Sequence, residues 1–260
     1  MNNIDRNIES ANKWILENRP TCKLITLDEV IKRSNKGNLL GTENSKTKKG
    51  NKDGVLTGIL YLAPHKITGF NFCPMAKTCI KDCLFNAGRG RMQSVTRARI
   101  IKTLCFLLDR PKFIKHIEND IAKLRIKANK LNFALAIRLN GTSDININKY
   151  FGHLIGNNKD VFFYDYTKVY NFVTKNTHQN YDLTFSFDGT NLAQVQSLLI
   201  KGFNVSVVFK NKLPETFNGF RVLDGDLNDL RYLDDKGVII GLKHKKTSNK
   251  LHNESFILDI

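Results

Sequence analysis

The sequence has few cysteines, and it has no apolar run long enough to cross a membrane. Its 260 residues include five cysteines, an odd number that cannot all pair, and apolar runs such as GVIIGL and TLCFLL are only as long as a strand or half a helix. The N-terminal MNNIDRNIES lacks the charged-then-apolar order of a secretory signal. We therefore expect reduced cysteines, no membrane segment and a location in the cytoplasm of the cell that makes the protein.

Acidic residues are also scarce relative to basic ones. The chain has 24 Asp and Glu against 41 Lys and Arg, which gives a formal net charge of +17. A surface this positive attracts polyanions, so it favours a nucleic acid, DNA or RNA, as the partner. The alternative is that AT-rich coding has raised the content of Lys, Asn and Ile without any functional cause.

The N-terminal region is predicted to be helical and then to become irregular. Ile4, Ile8 and Ile15 recur at helical spacing, and the sequence TLDE has the form of a capping box that begins a second helix. Residues 1–40 are therefore predicted to be an N-terminal helical segment. Residues 41–54, GTENSKTKKGNKDG, have no apolar periodicity and are predicted to be a basic flexible loop, serving either as a solvated linker or as a phosphate contact.

The remainder, residues 55–260, is predicted to be a single α/β domain. Helical patterns cover residues 93–109 and 111–129, and further helical segments alternate with short strand-like runs: TGILYLA, FALAIRL, VFFYDY, DLTFSF, FNVSVVF, FRVLD and GVIIGL. Such alternation indicates parallel strands joined by crossovers. About seven strands favour a complete or partial (β/α) barrel-like sheet, with an open doubly wound sheet as the competing fold. No GxGxxG or GxxxxGK[ST] loop follows any of these runs.

Polar side chains follow each predicted strand, and in a parallel α/β fold these ends meet at one mouth. Arg138, near the end of the apolar run in IRLNGTSD, would be buried and would need a carboxylate partner, for which Asp144 is the expected residue. In the structural alternative, Asn140-Gly141 is an ordinary turn and Ser143 or Asp144 caps the next helix. The candidate catalytic residues are Arg138, Asn140, Asp144, Asp165 and Lys168.

Three of the five cysteines lie within NFCPMAKTCIKDCLFNAGRGR. Cys73, Cys79 and Cys83 are spaced C-x5-C-x3-C, and an x3 gap places the last two on one face of a helical turn. Three thiolates can hold a [4Fe–4S] cluster and leave one iron open. A zinc ion would need a fourth ligand such as His65 or an aspartate, and three reduced structural cysteines are the further alternative.

A glycine- and arginine-rich segment follows the cysteines. In AGRGRMQSVTRAR the glycines can turn the backbone, and the arginines and the next helix N-terminus can face a phosphate or a carboxylate. With a lysine at the end of the last predicted strand, the expected anion-binding set is Gly88, Arg89, Gly90, Arg91, Arg97 and Lys243.

Several of these motifs together resemble a bacteriophage family called gene product eighty-eight. The resemblance runs from about residue 35 to the C-terminus and is most specific in GFNFCPMAKTCIKDCLFNAGRGRMQSVTRARIIKT and AIRLNGTSDI. It implies a phage-encoded protein in the cytoplasm of the infected bacterial host, from a family without a settled function. The motif positions that it implies are Cys73, Cys79, Cys83, Gly88, Arg89, Arg138, Asn140, Asp144, Asp165, Tyr166, Lys168 and Asp226.

The same residues are similar to those of radical-SAM-type barrels, which carry a three-cysteine cluster after the first strand. Those barrels have the spacing C-x3-C-x2-C, and this chain has neither that spacing nor a glycine-rich SAM-binding segment, which argues against SAM as a cofactor.

The leading hypothesis is an iron–sulfur enzyme that acts on a nucleic acid or nucleotide at the mouth of a barrel-like sheet. Arg138 and Lys168 would bind an anion, and Asp144 or Asp165 would handle protons. One alternative is a non-catalytic nucleic-acid-binding protein with a structural zinc or iron–sulfur site. Another is a host-takeover protein that binds an acidic host partner.

Overall fold

The computed structural model describes residues 3–43, 45–80, 82–245 and 255–260. These residues form an α/β structure with one mixed sheet and helices packed against it. In the described helices, none combines the length and the hydropathy needed to cross a bilayer.

The N-terminal helical prediction is confirmed. Helix α1 covers Asn3–Asn18 and α2 covers Leu27–Asn35. The capping box is present, because the Glu29 N–H donates to the Thr26 hydroxyl at 3.3 Å and the Thr26 N–H donates to the Glu29 carboxylate at 3.1 Å. Both helices pack against a later helix, α4 (Gln93–Leu108).

The prediction of a flexible loop over residues 41–54 is wrong for most of that segment. A short strand β1, Leu40–Gly41, is followed by helix α3, Ser45–Lys52, which packs against strand β2, Val55–Leu60. Thr47 and Gly50 are buried on the packed side, and a Cβ on Gly50 would lie 3.3 Å from the Thr57 hydroxyl. Small residues here allow close packing on β2, which a search for large apolar residues cannot detect.

All seven predicted strands are confirmed, and each is parallel to its neighbours among the seven. The strands after β2 are β3 Ala134–Arg138, β4 Phe162–Thr167, β5 Tyr181–Ser186, β6 Val205–Phe209, β7 Thr216–Phe217, β8 Phe220–Asp224, β9 Ile239–Lys243 and β10 Ile257–Leu258. The short strands β1, β7 and β10 are not among the seven predicted ones.

The strand order differs from that of a doubly wound sheet. It runs β1-β2-β3-β4-β5-β6-β9-β8-β7, so it advances in one direction from β2 to β6 without a reversal. Strands β1 and β7 end this order, and in the described residues they do not pair with each other. Strand β10 pairs with the last residues of β6, beyond the point where β5 pairs with the first ones.

The crossover helices cover one face of the sheet, and alternation along each strand separates the two faces. In β3, Leu135 and Ile137 belong to the main hydrophobic core, whereas Ala136 belongs to a second, small cluster. Arg138 shares the face of Ala136 by the same alternation. The helices after α4 are α5 Arg110–Leu131, α6 Ile147–Asn157, α7 Tyr170–Thr174 and α8 Leu192–Ile200.

We expect Glu29→Gln to remove a pH-dependent part of the stability while keeping the helix cap. A hydrogen bond from Arg97, on α4, lowers the pKa of Glu29 from its ordinary value of 4.5 to about 2. A lowered folded-state pKa stabilises the fold above the unfolded pKa, and this stabilisation is lost as pH falls from about 4.5 towards about 2. In urea denaturation, the variant should have a lower free energy of unfolding than the unaltered protein at neutral pH, and this difference should shrink at acidic pH. Glu17→Gln, on the exposed part of α1, is the control. A difference in the free energy of unfolding that does not depend on pH would contradict the role of Glu29.

Candidate functional site

A cavity lies at the carboxyl ends of the parallel strands, where this architecture collects functional groups. Its volume is about 230 Å³. Strands β3, β4, β5, β6 and β9 all contribute residues to its wall, as do the cysteine stretch (residues 71–91) and the C-terminal segment. The predicted convergence of the strand ends and the cysteines is therefore present in the structure. The wall includes His65, Cys73, Cys79, Asp82, Cys83, Arg138, Asn140, Asp144, Lys168, Lys243, His244 and Phe256.

The cysteine stretch crosses the mouth of the sheet and is held at three places. The Asp144 N–H, after β3, donates to the Phe72 carbonyl at 2.8 Å. The Thr78 hydroxyl donates to the carbonyl of Asp188, after β5. A carboxylate oxygen of Asp82 lies 3.8 Å from Nε2 of His244, after β9. The stretch thus spans the mouth from the third strand to the ninth.

The local geometry around the cysteines differs from the predicted helical turn. Residues Thr78–Ile80 and Leu84–Asn86 form two separate 3₁₀ turns, with Cys79 inside the first and Cys83 directly before the second. Cys73, Cys79 and Cys83 are all partly buried and all line the cavity. Within the part of the chain that the structure describes, no three His, Cys, Asp or Glu side chains converge closely enough to hold a single metal ion.

Burial controls the ionisation of two of the three thiols. Loss of solvation raises the pKa of Cys73 to about 12 and that of Cys83 to about 11. Both thiols are therefore protonated at neutral pH in the metal-free protein. A coordinating metal would remove these protons, so metal uptake at this site should release protons.

Arg138 is buried on the cavity floor, as predicted, but its partner is not Asp144. Its Nη1 lies 2.9 Å from a carboxylate oxygen of Asp229, and its Nε lies 3.7 Å from Asp165. The guanidinium also lies 4.8 Å from the centre of the Tyr166 ring. Burial alone would lower the pKa of Arg138, but nearby negative charge, chiefly that of Asp229, keeps it above its ordinary value.

Asp229 comes from DGDLNDLRYLDD, which begins at the end of the predicted strand FRVLD. Strand β8 ends at Asp224, and a 3₁₀ turn covers Arg231–Leu233. Asp229 lies 91 positions from Arg138, and no local sequence pattern indicates that this loop reaches β3.

Asp144 connects two neighbouring loops at the cavity wall. Its Oδ2 accepts a hydrogen bond from the Lys168 N–H at 2.9 Å, and burial raises its pKa. It does not cap the following helix, because Asn146 has that position and accepts from the Lys149 N–H at 2.9 Å. The carboxylate of Asp144 is therefore at the cavity and not at the end of α6.

Asp165 supports the site from behind and does not line the cavity. Its carboxylate accepts hydrogen bonds from the Leu139 N–H at 3.3 Å and the Asn140 N–H at 2.7 Å. The Asn140 side chain in turn donates to the Ile145 carbonyl at 3.0 Å and accepts from the Ser143 hydroxyl at 2.8 Å. Asp165 and Asn140 together shape the loop between β3 and α6.

Gly141 is required by packing and not by a left-handed turn. Its φ is not in the positive region. A Cβ at this position would lie 2.7 Å from the Leu60 carbonyl oxygen and 2.8 Å from Ile59. The Asn140-Gly141 pair, interpreted as an ordinary turn, therefore marks a close approach of the β3–α6 loop to the end of β2.

The GRGR segment forms a 3₁₀ turn, Gly88–Arg91, outside the cavity lining. Gly88 has a φ of +49°, in agreement with the predicted backbone turn, and Arg89 and Arg91 are exposed. Gly90 is buried, and a Cβ there would lie 2.7 Å from the Phe85 carbonyl oxygen. Close packing, and not anion contact, accounts for this second glycine.

The two remaining members of the predicted anion set have different positions. Arg97 pairs with Glu29 and donates to the Lys23 carbonyl, so it holds α2 against α4. Lys243 lines the cavity, 4.0 Å from Asp224, and its N–H donates to Asp226 at 2.9 Å. Asp226 therefore fixes the end of β9.

The cavity also has lining residues outside the predicted site set, among them Phe256 and His65, which the sequence indicated only as a possible zinc ligand. His65 has a φ of +53°, a conformation that non-glycine residues rarely adopt, and burial lowers its pKa. Phe256 reaches the cavity from the C-terminal segment. The only sequence signal for Phe256 is a short apolar run, FIL, after a polar stretch.

Comparison with known proteins agrees with the motif resemblance. A family model described as Gene product 88 matches residues 31–259. The chain belongs to the Gene product 88 family. No curated protein and no solved structure matches it. Membership in this family therefore brings no assigned activity, and the function must be argued from the cavity.

Removal of one partner of the buried arginine should be costly. We expect Asp229→Asn to lower the free energy of unfolding by about 3 kcal/mol, because it leaves a buried guanidinium with only the more distant Asp165. Urea denaturation measures this change. Asp235→Asn is the matched control, since its pair with Arg221 is exposed on both sides and should contribute less than about 1 kcal/mol. Equal losses in the two variants would contradict the assignment of Asp229 as the main partner.

Proposed function

We propose that this Gene product 88 protein is an iron–sulfur enzyme that acts on a nucleic acid or nucleotide in the cytoplasm of the infected bacterial host. The observation that carries the proposal is the shared cavity. Cys73, Cys79 and Cys83 line the same wall as the strand-end residues Arg138, Asn140, Asp144 and Lys168, although these groups are far apart in sequence. Potential metal-binding thiols beside convergent polar groups in a concave site are an arrangement typical of an enzyme.

The arrangement of the thiols favours a cluster over a single zinc ion. A zinc ion needs four ligands within about 2.0–2.3 Å of one point. The cysteine stretch supplies three thiolates at the cavity wall, Cys73, Cys79 and Cys83. A [4Fe–4S] cluster can be held by three thiolates, one on each of three irons, without a fourth protein ligand. When bound, such a cluster supplies one-electron chemistry and an iron with an open position.

Barrel-like curvature of the sheet is part of the same proposal. A barrel requires strands in sequential order, and β2 to β6 follow that order. The second hydrophobic cluster joins Val55, Ala136 and Tyr164 of β2, β3 and β4 to Leu230 of the loop after β8. A loop that packs on the face opposite the crossover helices fills the position of a barrel interior. We infer a partial barrel whose interior is filled by this loop.

We assign binding of the substrate's anionic group to the lysines of the cavity. Arg138 already faces two carboxylates, which leaves it little net charge to offer a ligand. Lys168 and Lys243 line the wall near the surface, and the whole chain carries an excess of 17 positive charges that would attract a polyanion. Asp144, which holds the backbone of Lys168, is the residue placed to take up or release a proton.

Protein purified without oxygen should contain iron and acid-labile sulfide in equal amounts and should absorb broadly in the visible region. Cys73→Ser, Cys79→Ser and Cys83→Ser should each lose most of the iron, because each removes one thiolate from the cluster. Iron and sulfide analysis and the absorbance spectrum measure this result.

Cys22→Ala and Cys105→Ala are the matched controls, since these two cysteines are buried away from the cavity. Both variants should keep the iron content of the unaltered protein. A folded, colourless protein without iron after anaerobic purification, and after reconstitution with iron and sulfide, would overturn the cluster. Stoichiometric zinc bound to the same cysteines would replace it with the zinc alternative.

A further inference from the structure

We propose that the substrate enters the cavity as a single unpaired nucleotide, with its base against Phe256 and its phosphate at Lys168. This inference rests on the proposed function and specifies its substrate as single-stranded nucleic acid. It follows from the size of the cavity, the aromatic residue in its wall and the cation beside that residue.

The size of the cavity limits what can enter. Its volume of about 230 Å³ is smaller than the roughly 300–1,000 Å³ of pockets for drug-sized ligands. A duplex cannot enter such a space, whereas a single unpaired base can enter it with its phosphate left at the wall. Enzymes that act on bases in nucleic acid therefore use single strands or turn one nucleotide out of the stack.

The cavity also has an apolar side. Phe187, Val208, Leu242 and Phe256 all line it, and each reaches it from the end of a strand or from the C-terminal segment. A base can stack on an aromatic ring whatever its identity, and such contacts are how proteins hold single strands without reading a duplex. The apolar side therefore fits a planar base.

The segment that carries Phe256 is held firmly. Ile257 is buried and pairs with Val208 of β6, and the Leu258 carbonyl accepts from the Lys210 N–H at 2.8 Å. Lys210 also forms an ion pair with Asp259 at 2.6 Å. Because β10 fixes the residues that directly follow Phe256, the ring is preorganised and binding need not order it.

Lys168 provides a cation directly beside the ring. Its Nζ lies 5.1 Å from the centre of the Phe256 ring, which is a cation–π contact. Its backbone N–H donates a hydrogen bond to Asp144. Among the described carboxylates, none forms an ion pair with Lys168, whereas Lys243 lies beside Asp224 and Lys245 beside Asp226. Lys168 is therefore the wall cation best able to bind a phosphate, next to the surface that would hold the base.

The test measures binding of short fluorescein-labelled single-stranded DNA and RNA, and of the matching duplexes, by anisotropy at several salt concentrations. Single strands should bind more tightly than duplexes. Phe256→Leu should weaken single-strand binding about tenfold, because it keeps an apolar side chain but removes the stacking ring, and Phe256→Tyr should stay within about twofold of the unaltered protein. Lys168→Gln should weaken binding and reduce the salt dependence by about one charge.

Ile260→Ala, at the exposed end of the same segment, is the control and should bind as the unaltered protein does. Equal binding by Phe256→Leu and Phe256→Tyr, or duplexes that bind as tightly as single strands, would overturn the inference.

The iron content of each preparation is measured in parallel. If iron-containing Phe256→Leu binds single strands as tightly as Phe256→Tyr does, the result counts against this inference alone. Absence of iron counts against the cluster, and absence of any nucleic-acid binding at low salt counts against the nucleic-acid part of the proposed function.

Discussion

The cavity depends on one buried charge, the guanidinium of Arg138 at the end of β3. A buried guanidinium is stable only with negative partners, and here they come from β4, as Asp165, and from the loop after β8, as Asp229. Asp165 also binds the backbone N–H of Leu139 and Asn140 and so sets the loop before α6. That loop places Asp144, and Asp144 binds the backbone of the next strand end. The floor is therefore one connected polar network.

The cysteine stretch is positioned by this floor and by the other strand ends. Its hydrogen bonds go to the loop after β3 and to the turn after β5, and Asp82 faces His244 after β9. Because Phe72, Thr78 and Asp82 directly precede Cys73, Cys79 and Cys83, each thiol follows an attached residue and faces the cavity without help from a regular helix. The same turn after β5 also meets the C-terminal segment, since a Cβ on Gly189 would overlap Ser255. The polar floor, the thiols and the aromatic wall thus belong to one assembly.

The sequence predicted the seven parallel strands because each is a short run of β-branched or aromatic residues between helical segments, and it predicted α2 because Thr26 and Glu29 form a recognisable cap. It failed where the cause is a contact between distant segments. Thr47 and Gly50 gave no apolar signal for α3, whose buried side is made of small residues. For Arg138 the sequence predicted a carboxylate partner correctly but chose a nearby one, since nothing local marks Asp229. An arginine within an apolar run indicates that a carboxylate partner is needed, whereas the fold decides which carboxylate it is.

The central claim is that one cavity holds both an iron–sulfur cluster and an unpaired nucleotide, and electron paramagnetic resonance of the reduced protein tests it most directly. The account predicts that saturating single-stranded oligonucleotide changes the g values or relaxation of the cluster signal, and that Phe256→Leu removes this change at subsaturating oligonucleotide. A cluster signal that is unchanged when anisotropy shows the oligonucleotide to be fully bound would place the two ligands at separate sites and contradict the account.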